Sequence, residues 1–190
     1  MLRLFKKKYT LTNKTIERDG ITLHRIRALR DIPMHGVKAG DIGGYVQGYY
    51  NLSQRGSCWV SEEGKVYDYA RVKNNAIVRA GATLFHSAKA LGNSRVYGDC
   101  SLFGNAKITG TSEAYENARI HEFARIKGHS LVHGSASICG DCLIVDSNIR
   151  EDAEVYAKAV IIDSDISGGS TICGQAYIYN ERLVDAIRFD

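Results

Sequence analysis

The 190-residue chain contains one proline, Pro33, and no hydrophobic run that approaches the length needed to cross a bilayer. With so little proline and so many Val, Ile and Tyr residues, a disordered chain is excluded. A helical bundle has no use for 19 glycines. Charge of one sign is also scarce: the net +4 is too small to imply nucleic-acid binding, so the distribution of charge matters more than its sum. The five cysteines are an odd number, and a single C-G-D-C segment, Cys139 to Cys142, has no second pair to make a zinc site. The first residues, Met1 to Thr15, are basic but carry no apolar stretch of the kind a secretory leader needs. A cytoplasmic protein with reduced thiols, without membrane attachment, is expected.

What the chain does have is a six-residue period. Every sixth residue from Cys58 to Cys142 is small, as in Ala70, Ala76, Ala82, Ala88, Ser94 and Cys100. Two places after each small residue stands an aliphatic one, from Val60, Val66 and Val72 to Ile138 and Ile144, with alanine only at Ala90 and Ala114. Residues two apart on a strand share a side, so the small and the aliphatic residue both face inward and their neighbours face out. Between repeats lie pairs such as Gly92-Asn93, Gly98-Asp99 and Gly140-Asp141, residue types that turn a chain at low cost. A strand and a corner every six residues make a three-sided coil, whereas no helix keeps one face at that period. One-residue deletions shift the frame before Ser147 and again before Ser164, where the pattern resumes as far as Ala176 and Ile178. The expected fold is therefore all-β: a parallel β-helix of about seven triangular coils, roughly 34 Å long at ~4.8 Å per coil.

Open solenoid ends need covers. Tyr9 to Thr15 and Ile21 to Leu29, around Asp19-Gly20, read as a capping hairpin. Arg182 to Phe189, behind Asn180 as N-cap, reads as a short amphipathic helix. The expected organisation is a hairpin cap over residues 1–43, a solenoid over 44–179 and a cap helix over 180–190.

The segment Ala39-Gly40-Asp41-Ile42-Gly43-Gly44-Tyr45-Val46, with Asn51-Leu52-Ser53-Gln54 and Cys58-Trp59-Val60, resembles the YdcK-type β-solenoid proteins of bacteria and their phages. The resemblance spans roughly residues 20 to 180. It implies a left-handed hexapeptide-repeat β-helix, shaped like the hexapeptide acyltransferases, and makes a phage or prophage origin an expectation. Likeness of fold does not establish acyl transfer.

With eighteen residues per coil, outward positions eighteen apart stack. One face then carries a basic strip, Arg71, Lys73, Lys89, Lys107, Arg125 and Lys127, suited to an acidic protein surface or, alternatively, to nucleic acid. In later coils Leu143, Val145, Val160 and Ile162 replace the bases. A second face stacks Tyr67, Phe85, Phe103, His121, Cys139 and Tyr156, an apolar strip suited to self-association as a dimer or trimer, or to coverage by a terminal segment. The third is mixed, with Arg79, Arg95, Tyr97, Glu113, Tyr115 and His133. His121 and His133 are the candidates for a general base in an acyl-CoA-dependent transferase, the competing reading, but the repeat from Cys58 to Ile144 runs without an insertion that could wall a pocket. The favoured reading is a non-enzymatic binding module that needs no cofactor and no metal, possesses no catalytic residue, and, if viral, binds or inhibits a host component.

Overall fold

The computed structural model describes residues 7–189; the first six residues of the expected cap and the last of the expected C-terminal segment lie outside the described residues. Within them the chain is a parallel β-solenoid whose short strands form three sheets. The first sheet begins with β1 (Tyr9–Arg18), β2 (Ile21–Ala28) and β3 (Ile42–Val46), then continues through Lys65–Val66, Thr83–Leu84 and Ser101–Leu102 to Ile187–Phe189. It has 11 strands, the second sheet 8 and the third 7, which gives about eight coils where the hexad count gives seven.

The inward columns are those the period selects. Val66, Leu84, Leu102, Ile120, Ile138, Val155 and Ile172 stack up the first side of the core, all fully buried. Each such aliphatic side chain contributes about 1.5–3 kcal/mol through removal from water. Small residues such as Ala70, Ala88, Ala106 and Ala124 fill the vertices without any exposed surface, where larger side chains would meet across a narrow triangle.

Corners carry a second device. Glu62, Asp68, Asn74, Glu116, Glu122 and Glu151 all have positive φ, between 51° and 61°. The side chain of each reaches along the solenoid axis and accepts the backbone N–H of the corner residue one coil later. Gly134 donates to Glu116 Oε2 at 2.7 Å, Gly140 to Glu122 Oε2 at 2.8 Å and Gly168 to Glu151 Oε2 at 2.7 Å. Those N–H groups lie outside the parallel ladder, so the carboxylates give them partners.

Coil length changes at a column of serines. Ser130, Ser147 and Ser164 follow one another at 17-residue intervals, and each hydroxyl accepts the next coil's N–H: Ser147 N to Ser130 Oγ, Ser164 N to Ser147 Oγ, and Glu181 N to Ser164 Oγ. Each also donates at 2.7 Å to a carbonyl just before it, Lys127, Val145 or Ile162. The hydroxyls thus bridge corners that have lost a residue.

The hairpin is present as expected and extends the first sheet antiparallel to β3. Its base plugs the N-terminal end of the core. Tyr9 is fully buried, edge-on to Trp59 at 6.3 Å, and its hydroxyl donates to the Leu52 carbonyl at 2.7 Å. Lys8 is buried too; its ammonium donates to the Cys58 carbonyl at 2.6 Å.

The expected C-terminal helix does not form. Arg182–Val184 and Ile187–Phe189 are strands, and they supply the additional coil. Asn180 is a corner with φ of 54°, Glu181 continues the serine column, and Leu183 fills the inward slot after Ile166. The chain shortens at this corner and again at Asp185, so that Ile187 pairs with Thr171. The six-residue frame is lost there, and the remaining apolar spacing imitates a helix.

Candidate interaction faces

The basic strip is assembled in register. Arg71, Lys89, Lys107 and Arg125 stand opposite one another on successive strands of the third sheet. All are exposed except Lys107, which is half-buried. Lys73 and Lys127 belong to the other outward column of that face, and Leu91 and Thr109 stand between them, so they extend the positive potential without touching each other. Arg125 is the one member of the strip with an ion pair among the described residues, to Asp141 Oδ1 at 2.8 Å. On the next three strands the same two columns become Leu143 and Val145, Val160 and Ile162, then Tyr177 and Tyr179. The tyrosines are 62% and 57% exposed. The face therefore divides into a basic half and an apolar half on one flat sheet.

On the first sheet the aromatic strip stacks closely. Tyr67 to Phe85 is 5.4 Å, Phe85 to Phe103 5.0 Å and Phe103 to His121 4.6 Å, all within 11° of parallel. The hairpin lies over its first rungs. Leu23, Tyr45 and Tyr67 form a buried cluster with Ile16, Ile21 and Phe85 packed against it, and the Tyr67 hydroxyl donates to Asp19 Oδ2 at 2.8 Å at the hairpin tip. Burial, reinforced by that carboxylate, pushes the Tyr67 pKa up to about 12. Coverage by a terminal segment thus accounts for Tyr67 and part of Phe85. Phe103 and His121 continue beyond the hairpin, and Tyr156 stands farther along, past Cys139.

The mixed face holds a second ladder. Tyr97 stacks on Tyr115 at 5.0 Å, Tyr115 on His133 at 4.6 Å, and the Arg79 guanidinium lies 4.9 Å from the Tyr97 ring centre. Glu113 ties the face together: Oε1 accepts from Arg95 at 3.3 Å and Oε2 from the Tyr97 hydroxyl at 2.9 Å.

The two candidate bases occupy different settings. His121 is flanked by Glu122, whose corner conformation brings its carboxylate to 4.0 Å from Nδ1. Burial nevertheless holds the His121 pKa below its ordinary value. His133 lies 3.2 Å from Asn148 Oδ1 through Nε2 and 3.8 Å from Glu116 Oε2 through Nδ1. They lie on separate faces of the solenoid. Burial makes four of the thiols poor nucleophiles: it raises the pKa of Cys58, Cys100 and Cys139, and pushes Cys142 up to about 12. Among the described residues no group of three or more His, Cys, Asp or Glu side chains is placed to hold a metal ion, and no helix is long and apolar enough to cross a membrane.

The 33–36 turn, unassigned by the repeat, overhangs the mixed face. His35 Nε2 bonds the Asn75 carbonyl at 3.0 Å, and Met34 and His35 form one wall of a cleft whose other side is Ile77, Arg79 and Arg95. Pro33 and Gly36 were the available signals: a proline at the first helical position and a glycine at φ 67° closing a single 3-10 turn. No protein-family model and no curated protein matches the chain.

Proposed function

We propose that the protein is a non-enzymatic interaction module, a left-handed hexapeptide-repeat solenoid of the YdcK type, and that its third sheet docks an acidic and apolar surface of a protein partner. The division of that sheet carries the reading: four bases in one column, followed by Leu143, Val160 and Tyr177 in the same column. Like charges about 5 Å apart repel by roughly 0.8 kcal/mol per pair in water, less in salt. An acidic partner relieves that repulsion, and the adjoining apolar half contributes burial on the same footprint. Nucleic acid would use the bases but leave the aliphatic half in water. With a phage origin, the partner is a host protein that the module sequesters or inhibits. Phe103, His121 and Tyr156, beyond the hairpin, supply the surface for self-association.

The test is capture of partner from bacterial lysate, with and without nuclease treatment, by three immobilised forms: native protein, Lys89→Glu/Lys107→Glu/Arg125→Glu, and Leu143→Lys/Val160→Lys. The expected result is one partner retained by the native form and lost by both variants. A partner that withstands both variants overturns this assignment, and loss on nuclease treatment points to nucleic acid instead.

A further inference from the structure

A concave site lies on a different face, under the 33–36 turn. Two adjoining cavities of about 250 and 300 Å³ share Met34, His35 and Arg95. The first is completed by Ile77 and Arg79, with no carboxylate in its lining. The second adds Asn75, Asn93, Thr111 and Glu113. We propose that this cleft binds a phosphate-type dianion carried by a small organic molecule, with Arg79 and Arg95 as the oxyanion ligands and Met34 and Ile77 against the apolar remainder.

Both guanidiniums are held before any ligand arrives. Arg79 rests on the Tyr97 ring at 4.9 Å, and Arg95 is tethered by one nitrogen to Glu113 at 3.3 Å. Arg95 keeps its other donors, and the Arg79 guanidinium has no hydrogen bond or ion pair among the described residues. A guanidinium fixed by a ring or a carboxylate loses less freedom on binding than a lysine would, and its planar fork matches two oxygens. Glu113 offsets part of the Arg95 charge, but it lines only the second cavity, so Arg79 stands in the first as an uncompensated cation. Arg79 and Arg95 both face the first cavity, which no acid lines, and two cations there favour a doubly charged oxyanion over a single carboxylate. The combined volume suits a small molecule and excludes a folded partner.

His35 reports on the site. Its Nε2 bonds a carbonyl, which can only accept, so Nε2 carries the proton and Nδ1 is left with its lone pair. Burial first, then the charges of Arg95, Lys8 and Arg79, hold the His35 pKa below its ordinary value. A bound dianion offsets those cations and favours the protonated ring, so the His35 titration midpoint must rise when the site fills.

The experiment follows the His35 ring by NMR titration in full-length protein, with inorganic phosphate, phenyl phosphate and acetate as separate probes. Native protein is expected to show a rise in the His35 midpoint with phosphate, a larger one with phenyl phosphate at equal concentration, and little with acetate. Arg79→Gln/Arg95→Gln should weaken phosphate binding by about tenfold or more through loss of charge-assisted bonds. Arg182→Gln, on a distant coil of the same sheet, and the Lys89→Glu/Lys107→Glu/Arg125→Glu variant should bind as the native form does. An unchanged midpoint, equal binding of acetate, or phosphate binding that survives Arg79→Gln/Arg95→Gln would overturn the proposal. Because the basic strip is intact in Arg79→Gln/Arg95→Gln, failure here leaves the partner-binding reading standing, and the reverse holds for the strip variant.

Discussion

A methyl group added at Gly110 would stand 2.4 Å from the carbonyl oxygen of Gly128 in the next coil. Gly110 also has a φ of +77°, which alone costs an alanine roughly 1–2 kcal/mol. Gly20, at the hairpin tip, shares the conformation, with a φ of +76°, but a methyl group there would meet nothing within 4 Å. The two therefore separate conformational cost from crowding. Gly20→Ala is expected to lower stability by about 1 kcal/mol, and Gly110→Ala by a further ~1–3 kcal/mol for overpacking. Urea midpoints at equal slope measure the difference; equal losses would show that the coils spread to admit a methyl group. The corner glycines were legible from the repeat, since Gly-Asn and Gly-Asp pairs turn chains wherever they occur. Glu116, Glu122 and Glu151 were not. Glutamate has no local preference for positive φ, and what holds it there is the N–H of a residue 17 or 18 places later, which no local pattern reports.

At the scale of the element, the serine column decides how a coil can shorten. Ser147 both accepts from Ser164 N at 3.1 Å and donates to the Val145 carbonyl at 2.7 Å, so Ser147→Ala strands two polar groups at a buried vertex. A loss of ~1–3 kcal/mol is expected. Ser94 occupies the same column two coils before Ser130, is fully buried, and its hydroxyl has no partner among the described residues. Ser94→Ala should be neutral or mildly stabilising, because it removes a desolvated hydroxyl that gains nothing. Thermal unfolding of the pair tests the distinction, and a Ser147→Ala protein as stable as the native one would refute the bridging role. The sequence shows the deletions before Ser147 and Ser164 because the small and aliphatic alternation resumes after each. It hides the next two, at Asn180 and Asp185, because too little chain follows to re-establish a period, and Leu183, Ala186 and Ile187 fall at helical spacing. The overhanging 33–36 turn is hidden for a related reason: it occurs once, and a non-recurring excursion has no period to read.

Across the described residues, the two ends of the solenoid differ. At the N-terminal end Lys8, Tyr9 and the hairpin close the core. At the other end Tyr177, Tyr179, Val184, Ile187 and Phe189 are each more than half exposed, and the strands that carry them are the last in their sheets among the described residues. An edge left unpaired in this way is a template for another strand to add to, from this chain or another. Arg188 stands directly over Ile172, in the inward slot that Ile138 and Val155 fill in earlier coils. A second solenoid stacking on this end would bury that guanidinium against an apolar core, and an unpaired buried charge opposes the stack by several kcal/mol. On this argument Arg188 opposes propagation of the apolar edge. Arg188→Leu should sediment as larger species than the native protein does at the same concentration, increasingly so as concentration rises, whereas Arg188→Lys should sediment as the native protein does. The shift should persist in high salt, because apolar stacking drives it, and should vanish when Ile187 and Phe189 are also replaced by Ser. An Arg188→Leu protein that sediments as the native form does would mean that the twist of the last coil, and not the charge in its core slot, keeps the edge from pairing.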